Sequence, residues 1–213
     1  MQNEKEIAVS IPIENIEKIL IVKNNKYYKN GSRRSLQALM NAYGADYAIN
    51  GTLYNMNTMK AVCPMKYSGV IEYAGPYKYR GYAWDDVNFH LDIVPNNDFH
   101  SYIACSNILK DGKVIEKMIY NAAQGGRRGR AAIGTKTVNG KKRICLYASR
   151  DGSTARRTPE KLAELLKSYG WDDAVMLDCG GSSQACFKNE KRLVYSSRKV
   201  AHVILVFLKK GKK

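Results

Sequence analysis

Apolar residues spaced by three and four predict two short helices in this chain. Leu36, Leu39, Met40 and Tyr43 fall at i, i+3, i+4 and i+7, with Ser35 as N-cap and Gly44 as the stop. Leu162, Leu165, Leu166 and Tyr169 repeat the spacing, with Thr158 as cap, Pro159 in the first helical position and Gly170 at the end. Each helix leads into a strand-like apolar run. Residues 45–49 deliver Asn50-Gly51, and residues 171–177 deliver Asp178 and its glycines. If those two strands are neighbours, Asn50 and Asp178 face one crevice.

The rest of the pattern is β-rich. Ile19-Leu20-Ile21-Val22 is apolar and β-branched, and 24–26 reads as a turn. Residues 60–84 hold many Tyr and Gly, and residues 89–94 alternate weakly. Two hairpins are expected: 102–109 with 114–119 around Asp111-Gly112, and 131–134 with 143–148 around Asn139-Gly140. Residues 200–208 read as a core strand, with His202 interrupting the longest apolar run. No low-complexity linker divides the chain. A single α+β domain over 1–213 is expected, with mixed β-sheets and a few short helices.

Composition narrows the function classes. No apolar run approaches the length of a membrane-spanning helix, so no membrane partner is expected. Met1 to Glu6 carries charges of both signs and lacks a signal-peptide layout. The expected location is the cytosol, unless a leader has been removed. Five scattered cysteines without a CxxC argue against a disulfide framework, and no His pairs with them at zinc-ligand spacing. The net charge of +16, from 35 Lys plus Arg against 19 Asp plus Glu, favours phosphate-bearing partners and also aids solubility. Nucleic acid is a weaker fit than a small molecule or a glycan.

The densest chemistry is Asp178-Cys179-Gly180-Gly181-Ser182-Ser183-Gln184, directly after Ala174-Val175-Met176-Leu177. A carboxylate at a strand end, two glycines and two hydroxyls suit close approach of a ligand to the backbone. Asn50-Gly51-Thr52, residues 130–134 and Asp151-Gly152-Ser153 are the other candidates. Each also has a structural reading. Asp178 could cap the next segment, Asn50-Gly51 and Asp151-Gly152 could be turns, and Arg130 could be a surface charge. Cys179 invites a nucleophile reading, but no histidine lies near it in sequence.

The order and spacing of these segments resemble the phosphodiester glycosidase family. The carrying stretches are Gly44-Ala45-Asp46-Tyr47-Ala48-Ile49-Asn50-Gly51, residues 107–113, Arg130-Ala131-Ala132-Ile133-Gly134, Asp151-Gly152, and residues 170–183. They span about residues 35–187. Thr52 stands where the family has a second glycine, and Cys179 replaces the first glycine of a triple. The resemblance implies a hydrolase that cuts a glycosyl–phosphate bond, on a sugar-1-phosphodiester or a nucleotide-like derivative. The alternative is a non-catalytic protein that sequesters nucleic acid or a phosphorylated ligand.

Cleavage at an anomeric carbon needs a carboxylate near that carbon and cations with N–H donors on the phosphate. Asp178 is expected as the carboxylate, Asp151 as a second one, Arg130 as the phosphate clamp and Asn50 as the group orienting a sugar hydroxyl or acetamido. Gly51, Thr52, Arg127, Arg128, Gly134, Gly180, Gly181, Ser182 and Ser183 are expected to line the substrate. A divalent cation shared by Asp178 and Asp151 is conceivable, but no metal ligand set is implied.

Overall fold

The computed structural model describes residues 1–24, 33–73, 79–85, 89–91 and 99–210, the strand at 89–91 by its backbone alone. Most of the expected turn at 24–26, the 92–94 stretch, the His90 side chain, Tyr77 and the lysine tail from 211 lie outside the described residues.

Both helices form where the pattern places them. Helix α1 runs Leu36–Tyr43; the Ser35 hydroxyl accepts from the Ala38 amide, and Gly44 closes it at φ 70°. Helix α2 runs Pro159–Ser168, with the Thr158 side chain accepting from the Lys161 amide. Both Asn-Gly-type turns close as well. Asp111 and Gly112 sit at φ 50° and 70°, and Asn139 and Gly140 at 51° and 72°, the left-handed pair that a two-residue hairpin requires. The Asn139-Gly140 hairpin joins Ala131–Val138 to Lys141–Ser149. The other is lopsided: Ser101–Lys110 is long, but its return strand is only Lys113–Val114.

The strands form two sheets. The six-stranded sheet runs, in order, Gln2–Asn3, Arg192–Val194, Ala185–Phe187, Tyr47–Asn50, His202–Leu208 and Ile16–Lys23. The ten-stranded sheet is built around Glu6–Pro12, Lys141–Ser149, Ala131–Val138, Asp173–Met176 and Ser101–Lys110, with the Tyr-rich strands on the last of these. Buried Ile49, Phe187, Ile204 and Val206 of the first sheet meet Ile103, Ile133, Leu146 and Val175 of the second in one core. α1 covers the outer face of the first sheet through Leu36, Leu39 and Met40 against Ala48, Val203 and Leu205. α2 covers the second through Leu162, Ala163 and Leu166 against Ala132, Tyr147 and Met176. The result is one α+β domain of four layers.

The two helix–strand units are therefore not neighbours in one sheet. Tyr47–Asn50 and Asp173–Met176 belong to opposite sheets, and their ends meet across the sandwich. The Asp178 amide donates to the Gly51 carbonyl at 3.1 Å, and the Gly51 amide donates to the His202 carbonyl at 2.9 Å. Asn50 and Asp178 do converge, by a route that strand adjacency would not supply.

Candidate active site

Asp178 follows strand Asp173–Met176 and is only 9% exposed. Its Oδ1 accepts from the Cys179 amide at 2.8 Å. Burial pushes its carboxyl up to about 6, against the opposing pull of the Ser182 hydroxyl, the Cys179 amide and the Arg198 guanidinium. The single 3-10 turn Gly180–Ser182 follows, with Gly180 at φ 62°. Arg198 lies over this turn. Its Nη1 donates to the Ser182 Oγ at 3.1 Å, and a Cβ on Gly181 would stand 3.1 Å from its guanidinium carbon. A side chain on Gly181 would have to displace that guanidinium.

Asp151 joins the same site from another turn. Its Oδ1 accepts from the Gly129 amide at 2.8 Å, and the Gly180 amide donates to the Gly129 carbonyl at 2.9 Å. Its Oδ2 lies 3.8 Å from the position a Gly180 Cβ would take, and the Arg128 side chain lies 3.9 Å from that position. A cleft of about 310 Å³ opens here, lined by Arg150, Asp151, Gly180, Gly181, Ser183 and Tyr195 among others. The structure thus gathers Asp178, Asp151, Arg128, Gly180, Gly181, Ser182 and Ser183.

Other expected site residues spend their polar groups on, or make room for, the chain itself. Arg130 is fully buried, and its guanidinium is consumed by protein groups. Nε donates to the Arg157 carbonyl at 2.7 Å, Nη1 to the Gln124 carbonyl at 2.5 Å, and Nη2 to the Gly126 carbonyl at 2.5 Å. It closes the 124–130 loop onto residue 157 and is not placed to clamp a phosphate. Asn50 is likewise saturated: Nδ2 donates to the Asp178 carbonyl at 2.9 Å and Oδ1 accepts from the Gln184 amide at 3.1 Å. It latches the strand ends and has no group left for a sugar. Thr52 donates to the Ala104 carbonyl. A Cβ on Gly51 would lie 2.8 Å from the His202 Cβ, so this glycine serves close approach of two chain segments. A Cβ on Gly134 would lie 2.2 Å from the Asp173 carbonyl oxygen and 2.5 Å from the Trp171 ring.

Arg127 faces a separate recess of about 550 Å³, with Arg156, Lys161 and Glu164. Cys179 is buried, and burial pushes its thiol up to about 12, so it stays protonated and is a poor nucleophile. Its Sγ faces the Ala123 carbonyl at 3.9 Å. Among the described residues, no three His, Cys, Asp or Glu side chains group at metal-holding geometry.

Sequence reasoning missed Arg198, Tyr54 and His202. Burial raises the Tyr54 hydroxyl above its ordinary range, against a hydrogen bond with the Ser182 side chain, and the charges of Asp178 and Arg198 act on it as well. The Tyr54 and His202 rings meet edge to face with centroids 6.3 Å apart. Arg198 carries only a weak sequence signal, a cation after Tyr195-Ser196-Ser197. His202 carries a better one, a polar ring inside an apolar strand. Tyr54 carries none.

Fold and site together define a class: a two-sheet α+β domain holding a carboxylate and a guanidinium side by side where strand ends from both sheets meet. The chain belongs to the phosphodiester glycosidase family, whose family model matches residues 43–207. Among solved structures it is similar to the catalytic domain of zebrafish N-acetylglucosamine-1-phosphodiester alpha-N-acetylglucosaminidase, auto-inhibited by its pro-peptide. That likeness has TM-score 0.70 at 15% identity, over 98% of this chain and 85% of that one. A hypothetical protein from Synechocystis is similar with TM-score 0.77 at 14% identity, over 96% of this chain and 59% of that one. Comparison with curated proteins found no match. At such identities the likeness shows the fold.

Proposed function

We propose that the protein hydrolyses the glycosyl–phosphate bond of a phosphodiester-linked sugar. The observation that carries this reading is the buried Asp178 carboxylate with Arg198 and Ser182 beside it. Breaking a bond at the anomeric carbon builds positive charge on the sugar ring and leaves a phosphate. A carboxylate stabilises the first and a guanidinium the second. Asp178 acts at the anomeric carbon, as nucleophile or as base for water. Asp151, across Gly180, is the second carboxylate. Arg198 takes the phosphate-holding role expected of Arg130, with Arg128 and Arg150 at the rim. Phosphate leaves readily, so strong proton donation to it is unnecessary.

The name of the zebrafish relative specifies an N-acetylglucosamine-1-phosphodiester. That supports a sugar-1-phosphodiester or a nucleotide-like derivative as the substrate class here. The test is release of sugar from α-N-acetylglucosamine-1-phosphodiesters and from nucleotide sugars. Asp178→Asn is expected to lower kcat by roughly a thousandfold or more, since no carboxylate then meets the developing charge. In the wild type, kcat/KM should rise with pH through about 6 as the Asp178 carboxylate forms. No turnover of any such compound, or full activity in the variant, overturns the reading.

The recess with Arg127, Arg156 and Lys161 favours a second reading, a binding protein for a polyanion such as nucleic acid. A steep salt dependence of nucleic-acid affinity, lost in Arg127→Ala with Lys161→Ala, would support it. No binding at low salt would dismiss it.

A further inference from the structure

The five cysteines are free thiols, and two of them face each other. Strand Met65–Tyr67 runs antiparallel to Ser101–Lys110, with Met65 opposite Ile103 and Lys66 opposite Tyr102. The Ala104 amide donates to the Pro64 carbonyl at 2.9 Å, which carries the register one residue further. One more step sets Cys63 opposite Cys105. Since Pro64 and Ala104 form a hydrogen-bonded pair, Cys63 and Cys105 fall at a non-hydrogen-bonded one, where facing Cα atoms approach to about 4.5 Å. That lies within the roughly 4.4–6.8 Å that a disulfide spans. The two thiols are already hydrogen-bonded to each other, and both residues are fully buried. The Thr52 hydroxyl is shared between the Ala104 carbonyl and the Cys63 sulfur, and Gln124 Nε2 donates to the Cys105 sulfur at 3.1 Å. The Asp178 charge acts on both thiols. By contrast, neither Cys145 nor Cys186 has another cysteine among the groups acting on it.

We infer that Cys63 and Cys105 are a redox-responsive dithiol, which hydrogen peroxide converts to a cross-strand disulfide near Asp178. The inference does not depend on the glycosidase reading above. The hydrogen bond from Cys105 holds the Cys63 thiol below its ordinary value, while burial raises Cys105 well above its own. Cys63 is therefore the attacking sulfur and Cys105 the resolving one. In the first step the Cys63 sulfur bonds one peroxide oxygen and the O–O bond breaks. The thiol proton leaves with the other oxygen as water, and Cys63 becomes a sulfenic acid. In the second step the Cys105 sulfur displaces that hydroxyl, which takes the Cys105 proton and leaves as a second water. Two thiols lose two electrons in all, and peroxide gains them. Burial selects the oxidant. Hydrogen peroxide is small and uncharged, whereas a bulky disulfide such as oxidised glutathione does not reach a fully buried sulfur. The bond would join two segments that border the site. Thr52 follows Gly51, whose carbonyl accepts from the Asp178 amide. Gln124 begins the loop that Arg130 closes and that carries Arg128 and Gly129.

The full chain is treated with hydrogen peroxide under native conditions, the remaining thiols are alkylated, and a non-reduced digest is mapped by mass spectrometry. Oxidised glutathione is the parallel oxidant, and Cys63→Ala, Cys105→Ala and Cys179→Ala are treated alongside. Peroxide is expected to remove two of the five thiols and to yield one peptide linked through Cys63 and Cys105. A dithiol reductant should restore all five. Oxidised glutathione should leave them alkylatable. The link should be absent in Cys63→Ala and Cys105→Ala and present in Cys179→Ala. Thermal melts follow each sample. The oxidised wild type should unfold about 5 °C or more above the reduced one, because the link removes loop entropy from the unfolded chain. The wild-type map and melt decide the matter even where a variant fails to fold. Five intact thiols after peroxide, oxidation of single cysteines without a link, or a link from Cys105 to Cys179 would each overturn the inference. The pair would then be two small apolar side chains filling the core.

Discussion

At the residue scale, charge alone is a poor guide to which arginine meets a ligand. Arg130 lies in the motif series, yet its guanidinium faces three main-chain carbonyls. Arg198 lies outside the segments that carried the resemblance, yet it bonds Ser182 beside Asp178. The difference is burial plus available acceptors, and neither is written in the residue type. Arg130→Lys tests this. A single ammonium cannot span the fork, so buried carbonyls lose partners. Loss of about 2–4 kcal/mol in denaturant unfolding is expected, with KM for any phosphodiester substrate little changed in the protein that remains folded. Arg198→Lys should do the reverse, raising KM while leaving the unfolding midpoint near wild type.

At the element scale, the helices, caps and tight turns were legible because their causes are local. Ser35, Gly44, Thr158, Pro159 and Asn139-Gly140 each act within a turn of chain around themselves. The short return strand after Gly112 was not legible, since Lys113–Val114 pairs only with Lys110 and Leu109 before the chain leaves the sheet. Glycines divide in the same way. Gly44 is required by its own left-handed φ, Gly51 by the His202 backbone that approaches it, and Gly181 faces only the end of the Arg198 side chain. Gly51→Ala should cost about 1–3 kcal/mol through overpacking against the His202 strand. Gly181→Ala meets only the movable Arg198 guanidinium, so it should fold normally and raise KM. Chemical denaturation and steady-state kinetics on the two variants separate these outcomes.

At the scale of the whole molecule, two buried groups put opposite pH dependences on stability. The Asp178 carboxyl is raised to about 6, so the folded state prefers it protonated; that stabilisation is lost as pH rises through 6. The His202 ring is lowered to about 4, so the folded state prefers it neutral; that stabilisation is lost as pH falls from the ordinary histidine range through 4. A tenfold change in proton affinity corresponds to about 1.4 kcal/mol, so each group contributes up to roughly 3 kcal/mol. Over the same pH window the two offset. Asp178→Asn is therefore expected to be more stable than wild type above about pH 6.5, with the gain gone by about pH 4. His202→Gln should differ from wild type in the opposite sense, gaining only in acid. Thermal or urea unfolding from about pH 4 to about pH 7.5 reads both slopes.

Sequence alone determined the helices, the two turns, the α+β class and the position of Asp178 after a strand beside glycines. All of these follow from periodicity and backbone chemistry over a few residues. Tertiary structure decided which side chains surround that carboxylate. Gln2 pairs with Arg192, and His202 reaches Asp178 through Gly51, so the neighbours come from contacts that span most of the chain. It also decided availability: Asn50 and Arg130 spend their hydrogen bonds on the fold, while Arg198, from outside the motif series, bonds Ser182 beside Asp178. A residue's type states what it is able to bond; only the packed chain states what it has already bonded.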